Sequence, residues 1–87
     1  MKIRIPYIFQ YLTDGIKTVE TEGQTVGECL RALQDKFPGI KPRLFDEEGQ
    51  LYKYVGLYLN NRKIRNGLNL PVKDEDELLI LVVIYGG

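Results

Sequence analysis

The sequence predicts an α+β domain: a mixed sheet of four to five strands, one main helix packed on one face, and a short 3₁₀ turn. Three observations carry that prediction. The chain opens in alternation, with Ile3 and Ile5 on one side and Lys2 and Arg4 on the other, the period-two pattern of a half-buried strand. Val26, Cys29, Leu30, Leu33 and Phe37 fall at i, i+3, i+4, i+7 and i+11, which lines them along one stripe of a helix. Residues 78–84 are apolar without interruption, which suits a central strand with both faces in apolar surroundings.

In chain order, residues 2–11 are rich in Ile, Tyr and Phe and read as the first strand. Leu12-Thr13-Asp14-Gly15 supplies turn residues, and residues 16–21 alternate again, so the two segments should form a hairpin. Thr25 stands three positions before Glu28, the capping-box spacing in which the Thr hydroxyl accepts an orphan helix N–H and the Glu reaches back. The helix should start there, turn Glu28, Arg31, Gln34 and Asp35 outward, and stop at Pro38-Gly39. Pro42 excludes a long strand over residues 40–45 and suits a loop or a short 3₁₀ turn, followed by the polar turn Asp46-Glu47-Glu48-Gly49. Residues 51–60 return to alternation, with Val55, Leu57 and Leu59 opposite Tyr54, Gly56 and Tyr58. Asn60-Asn61 can take the positive φ of a tight turn into a short strand at 63–65. A loop containing Asn66-Gly67 and Pro71 leads to the charged turn Lys73-Asp74-Glu75-Asp76, after which Glu77 opens the last strand. If that strand is central it lies beside the first, with the helix as the crossover that covers one face. This order is the ubiquitin-like β-grasp arrangement: one domain over residues 1–85, then a flexible diglycine tail at 86–87.

Composition narrows what such a domain can do. The chain has 87 residues, 12 Lys+Arg against 12 Asp+Glu, one Cys (Cys29), and no His, Trp or Ser. Without His or Ser there is no Ser-His-Asp or Cys-His nucleophile system, and one Cys alone supplies no zinc, haem or iron–sulfur ligand set. A chain this short buries roughly 60% of its unfolded surface, which leaves little room for an enclosed active site. Zero net charge offers no global field for a phosphate backbone, so nucleic acid is not an expected partner. A single Cys argues against a disulfide-stapled secreted scaffold. No signal-peptide pattern opens the chain, and the apolar run at 78–85 is too short to span a bilayer. A cytoplasmic domain without membrane attachment, monomeric on its own, is the expectation.

The chain ends Tyr85-Gly86-Gly87. At about 7% Gly per position, two terminal glycines arise by chance in roughly 0.5% of chains. Neither has a side chain to pack, and both lose much entropy if ordered, so taken alone the pair is either a frayed end or a means of access: a thin end that another protein's narrow channel can grip. Other stretches run in order with this ending: Lys2-Ile3-Arg4-Ile5-Pro6; Thr25-Val26-Gly27-Glu28 with Leu30; Phe37-Pro38-Gly39-Ile40; and Arg43-Leu44-Phe45-Asp46. Leu57-Tyr58-Leu59-Asn60, Ile64-Arg65, Gly67-Leu68, Pro71 and Lys73-Asp74-Glu75-Asp76-Glu77-Leu78 follow. On these residues the chain resembles, end to end, the ubiquitin-like sulfur-carrier superfamily (ThiS/MoaD). Within it, the chain is most similar to the carriers of cysteine biosynthesis and to small archaeal ubiquitin-like proteins.

The resemblance implies a sulfur carrier that is not itself an enzyme. An ATP-dependent activating enzyme would adenylate the Gly87 carboxylate, with Gly86 clearing the approach. A sulfur donor would then convert it to a thiocarboxylate for a sulfur-acceptor synthase. No cofactor would be bound, since ATP and the sulfur donor are used by the activating enzyme. Two alternatives follow from the same tail: a ubiquitin-like modifier joined through Gly87 to protein lysines, and a structural module such as the small subunit of molybdopterin synthase. The family usually has Gly where this chain has Glu75, and a small or Pro-containing approach where it has Val82-Val83-Ile84-Tyr85.

Other residues invite competing readings. Cys29 could carry a persulfide or, from its place on the apolar stripe, be a core thiol. Asp46, Glu47, Glu48 and Asp74 to Glu77 could attract a cation, but they lack a ligand-spaced loop and read as solvated turns, so no metal site is expected. Lys36, Lys41, Arg43, Arg62, Lys63 and Arg65 could form a basic patch for nucleic acid, but with zero net charge they read as serving solubility and the steering of an acidic partner. If Leu78, Ile80, Val82 and Ile84 face the helix, then Leu79, Leu81 and Val83 form an aliphatic patch on the other face. With Tyr58 and Tyr85 they make a candidate partner surface, unless Tyr58 and the loops shield it.

Overall fold

The computed structural model describes residues 1–65 and 67–83. Its strands are β1 (Lys2–Arg4), β2 (Thr18–Glu20), β3 (Val55–Leu59), β4 (Arg62–Ile64) and β5 (Glu77–Val82), and its α-helices are α1 (Val26–Lys36) and α2 (Lys41–Leu44). Three 3₁₀ segments, Tyr7–Thr13, Pro38–Ile40 and Gly67–Asn69, connect them. The strands form one sheet in the order β2-β1-β5-β3-β4. β5 runs parallel to β1 and antiparallel to β3, and both outer pairs are antiparallel. This is the β-grasp order expected from the sequence, with the last strand at the centre.

The helix forms where its sequence says it should. Thr25 is the N-cap in extended conformation, and its hydroxyl accepts the Glu28 N–H at 3.1 Å. Glu28 reaches back to the N–H of Gln24, one residue before the cap, at 3.3 Å. The buried stripe Val26, Cys29, Leu30 and Leu33 meets Ile3, Val19, Leu57, Leu78 and Ile80 from the sheet, and Ile40 and Leu44 close the core from below the helix end. Each such aliphatic side chain contributes roughly 1.5–3 kcal/mol when fully buried. The Gly67–Asn69 segment packs tightly on the first turn of α1: a Cβ on Gly27 would lie 2.9 Å from the Leu68 carbonyl oxygen.

Five sequence expectations change. The first strand does not run over residues 2–11 but ends at Arg4. Pro6 has no N–H for a ladder, and beyond it Tyr7–Thr13 winds into a 3₁₀ helix that buries Phe9 and Thr13. The hairpin with β2 therefore exists, but its connection is a folded segment, turned by Asp14 at φ 54° and Gly15 at φ 79°. The second strand shortens to Thr18–Glu20, leaving Ile16 exposed. Residues 40–45 hold a 3₁₀ turn and also one turn of α-helix, with Pro42 at its start where a missing N–H costs nothing. Of the strand expected at 51–60, only Val55–Leu59 is in the ladder, and the short strand lies at Arg62–Ile64, one residue earlier than expected. Ile84, expected to end β5, and Asn66 lie outside the described residues.

The Asn60-Asn61 turn does have the positive φ its residues suggested, 50° and 70°. Asn60 also ties this hairpin to the head of β5. Its Nδ2 donates to Asp76 Oδ1 at 2.9 Å, its Oδ1 accepts from the Glu77 N–H at 3.0 Å, and its N–H donates to the Glu77 carbonyl at 2.9 Å. Asp76 Oδ2 accepts from the Lys73 N–H at 2.8 Å, and the turn closes through Asp76 N–H to the Lys73 carbonyl at 3.0 Å. Among the described residues only Asp14, Asn60 and Asn61 take positive φ without being glycine, so Glu75 fits this turn without strain. No helix among the described residues is long and apolar enough to cross a membrane.

Two predictions follow from this packing. Leu30→Ala leaves a cavity under the helix and should cost about 2–5 kcal/mol in denaturant titration, whereas Thr25→Ala should cost about 1 kcal/mol through the lost cap. Asp76 is held below the ordinary aspartate range, first by the Asn60 amide and then by the Lys73 N–H. Its contribution is present above the unfolded-state value and is lost as pH falls through the lower folded value. Asp76→Ala should therefore flatten the acid limb of the stability–pH curve; an unchanged limb would show that this carboxylate is not coupled to folding.

Candidate functional site

The face of the sheet not covered by α1 is set by register. Across the strands it presents Thr18, Arg4, Leu79, Tyr58 and Lys63 as one row, since Arg4 pairs with both Thr18 and Leu79, and Tyr58 with both Leu79 and Lys63. A second row holds Glu20, Lys2 and Glu77. Arg4 and Glu77 lie within 3.6 Å as an exposed ion pair, which is worth little in stability. Charge thus gathers near the head of β5, and apolar surface along its second half.

The alternation expected for β5 holds. Leu78 and Ile80 are fully buried, while Leu79 is half-buried and Leu81 and Val83 are 37% and 41% exposed. Exposure increases toward the chain end. Tyr58, half-buried, stands opposite Leu79 on β3, and its ring leans along β3 over Gly56, the residue opposite Leu81: a Cβ on Gly56 would lie 3.6 Å from Tyr58 Cε2. With the Tyr58 ring in that position, Leu81 and Val83 still remain exposed. Arg4, Tyr58, Asn60, Asn61, Glu75, Glu77 and Leu79 line a cleft of about 240 Å³ beside it.

At the chain end, the Val83 N–H donates to the Tyr54 carbonyl at 2.7 Å, continuing the ladder of β3 with β5 one step past the strand. Tyr85, Gly86 and Gly87, the other site residues expected from the sequence, lie outside the described residues. The structure therefore brings together Leu79, Leu81, Val83 and Tyr58 on one face.

Burial and bonding place the residues of the competing readings. Cys29 is fully buried, and Gly23 lies so close that a Cβ there would be 2.9 Å from the Cys29 sulfur, so the thiol is a core residue. Asp46 Oδ1 accepts the N–H groups of Glu48 and Gln50, each at 2.9 Å, and so closes its own turn. Among the described residues no group of three or more His, Cys, Asp or Glu side chains is placed to hold a metal ion. Lys36 is tied to the Glu20 carbonyl at 2.7 Å, while Lys41 and Arg43 lie on α2 and Arg62 and Lys63 on the edge strand β4. The Asn60–Asp76 tie is the feature that sequence reading missed: those turn carboxylates read as solvated, and no local pattern links residues so far apart.

Comparison with known proteins agrees with this geometry. The ThiS family profile matches residues 4–87. The sulfur carrier protein CysO of Mycobacterium tuberculosis is 34% identical over 89 residues, covering 98% of this chain and 96% of that protein. Small archaeal modifier protein 1 of Haloferax volcanii is 30% identical over 70 residues, covering 79% of this chain and 78% of that protein. Among solved structures, a chain of the Amycolatopsis orientalis BexX/CysO complex superposes with a TM-score of 0.88 at 39% identity, covering 99% of this chain and 98% of that one. The small archaeal modifier protein 1 of Methanosarcina acetivorans superposes with a TM-score of 0.83 at 29% identity, covering 99% and 94%.

Proposed function

The chain belongs to the ThiS family, and on that premise we propose that it is a sulfur carrier whose Gly87 carboxylate bears the sulfur. The observation that carries the reading is the exposed aliphatic strip that runs along β5 toward a terminal diglycine, in a chain without His or Ser. The reading is supported by the stronger likeness to proteins named as CysO, at 34% and 39% identity, than to the archaeal modifiers, at 30% and 29%.

The chemistry follows from the ordinary properties of a carboxylate. With a pKa of about 3.5 the terminal group is ionised at neutral pH and is a poor electrophile. Its oxygen attacks the α-phosphorus of ATP, pyrophosphate leaves, and the acyl-adenylate now carries a good leaving group. Hydrosulfide, or an equivalent sulfur donor, adds to the carbonyl carbon; AMP departs with the electron pair of the C–O bond, and the thioacid releases its proton. The product thiocarboxylate is nucleophilic through sulfur and passes it to an acceptor synthase. This protein is the co-substrate throughout. Residues 1–85 form the handle, and the diglycine at 86–87 is the part an activating enzyme threads.

In this reading the handle is gripped through Leu79, Leu81, Val83, Tyr58 and Tyr85. A relative in the Amycolatopsis orientalis BexX/CysO complex was solved with a partner protein, which supports a docking role for the domain. Such a strip is expected to behave as a small hot spot rimmed by the Arg4–Glu77 charges.

Mass analysis and mutation check the proposal. After incubation with ATP, sulfide and the activating enzyme of the same organism, intact-mass analysis should show one oxygen exchanged for sulfur. Deletion of Gly87 should abolish the exchange while the denaturation curve is unchanged. Unaltered mass with an enzyme that binds the chain would refute the carrier reading, and Gly-Gly remnants on lysines of other proteins would favour the modifier instead. Leu81→Glu, at an exposed position, should change stability by no more than about 0.5 kcal/mol yet raise the KM for the carrier about tenfold.

A further inference from the structure

Tyr54, whose carbonyl receives the Val83 N–H, is itself seated by α2. Its hydroxyl donates to the Arg43 carbonyl at 3.1 Å. Its ring stacks on Tyr52 with centroids 5.0 Å apart and planes 11° from parallel. Tyr52 in turn donates its N–H to the Leu44 carbonyl at 3.0 Å, and its own carbonyl accepts the Val55 N–H at 3.0 Å. The last carbonyls of a helix have no partners within it. α2, only four residues long, spends two of them on this tyrosine pair. A continuous line of bonds therefore runs from the helix turn through Tyr52 and Tyr54 to Val83.

We infer that Tyr54 is a positioning residue for the terminal carboxylate: it fixes Val83, taken here as the departure point of the last four residues. The inference rests on the carrier reading of Gly87. A residue extends the chain by about 3.3–3.6 Å at most, so the span from Val83 to Gly87 cannot exceed about 14 Å. With so little slack, a shift of the departure point is passed on to the reacting carbon. An enzyme that holds the domain by the β5 strip and the terminus at its catalytic centre needs both at a set separation. A departure point ordered in advance lowers the cost of ordering on binding, so its loss appears in KM more than in kcat.

The test uses two variants. Tyr54→Leu removes both hydroxyl and stack; Tyr54→Phe keeps the ring and loses only the hydroxyl, so it remains informative if the first fails to fold. In the isolated protein, amide hydrogen exchange at Val83 should quicken about tenfold in Tyr54→Leu and about fivefold or less in Tyr54→Phe. Leu78 and Ile80 at the centre of β5 should change far less. In the thiocarboxylation assay with ATP, sulfide and the activating enzyme, the KM for the carrier should rise about tenfold in Tyr54→Leu, with kcat within about twofold and partial rescue by Tyr54→Phe. Val83 changing only in step with Leu78 and Ile80, or a faster Val83 with unchanged KM, would overturn the inference. A wild-type chain that gains no sulfur would instead count against the carrier reading, while the Val83 exchange ratio still decides whether Tyr54 holds the departure point.

Discussion

The pairing of β5 along both edges is the constraint on which the rest of the fold depends. Its first half is bonded to β1 and its whole length to β3, and Leu78 and Ile80 beneath it are sealed by α1. Because side chains alternate across a strand, burying those two residues forces Leu79 and Leu81 onto the opposite face. Core formation and the exposed strip are thus one event. β1 ends at Arg4, so among the described residues the second half of β5 has a ladder partner only on the β3 side, and that is where Tyr54 takes hold of Val83.

The two ends of β5 are secured by different chemistry. At its head, Asn60 and Asp76 join the β3–β4 turn to the preceding charged turn through polar side chains. At its far end the grip comes from backbone bonds and stacked rings on α2. The first arrangement favours the ionised form of Asp76, whose two oxygens accept from Asn60 and the Lys73 N–H. The second does not depend on any carboxylate.

Much of this was legible in the sequence wherever a short-range rule applies. The Thr25–Glu28 cap, the Pro38-Gly39 stop, the Asn60-Asn61 turn and the central apolar strand each follow from residues within a few positions of one another. What the sequence did not disclose depends on residues far apart or on a change of period. Ile3 and Ile5 alternate as a strand does, but Pro6 shifts the next segment to a 3₁₀ helix in which Phe9 and Thr13 are the buried positions. The Asn60–Asp76 tie and the Tyr54 seat on Arg43 bridge 16 and 11 residues, and no periodicity encodes such pairs. The aliphatic strip was legible because alternation alone decides it; that Gly56 stands opposite Leu81 and Tyr58 opposite Leu79 required the register of β3 against β5.

The functional account places the chemistry outside every side chain of the domain. Cys29, the one thiol, is sealed in the core beside Gly23, and Asp46 and Asp76 are engaged in holding their turns. The terminal carboxylate remains as the group to which sulfur would be attached. Fragmentation of the intact protein in a mass spectrometer, after exposure to ATP, sulfide and the activating enzyme, tests this directly because it locates the added sulfur. The account predicts that the sulfur appears only in fragments containing Gly87, with Cys29 unmodified. Sulfur found on fragments that contain Cys29 and lack the C-terminus, as a persulfide would give, would contradict it.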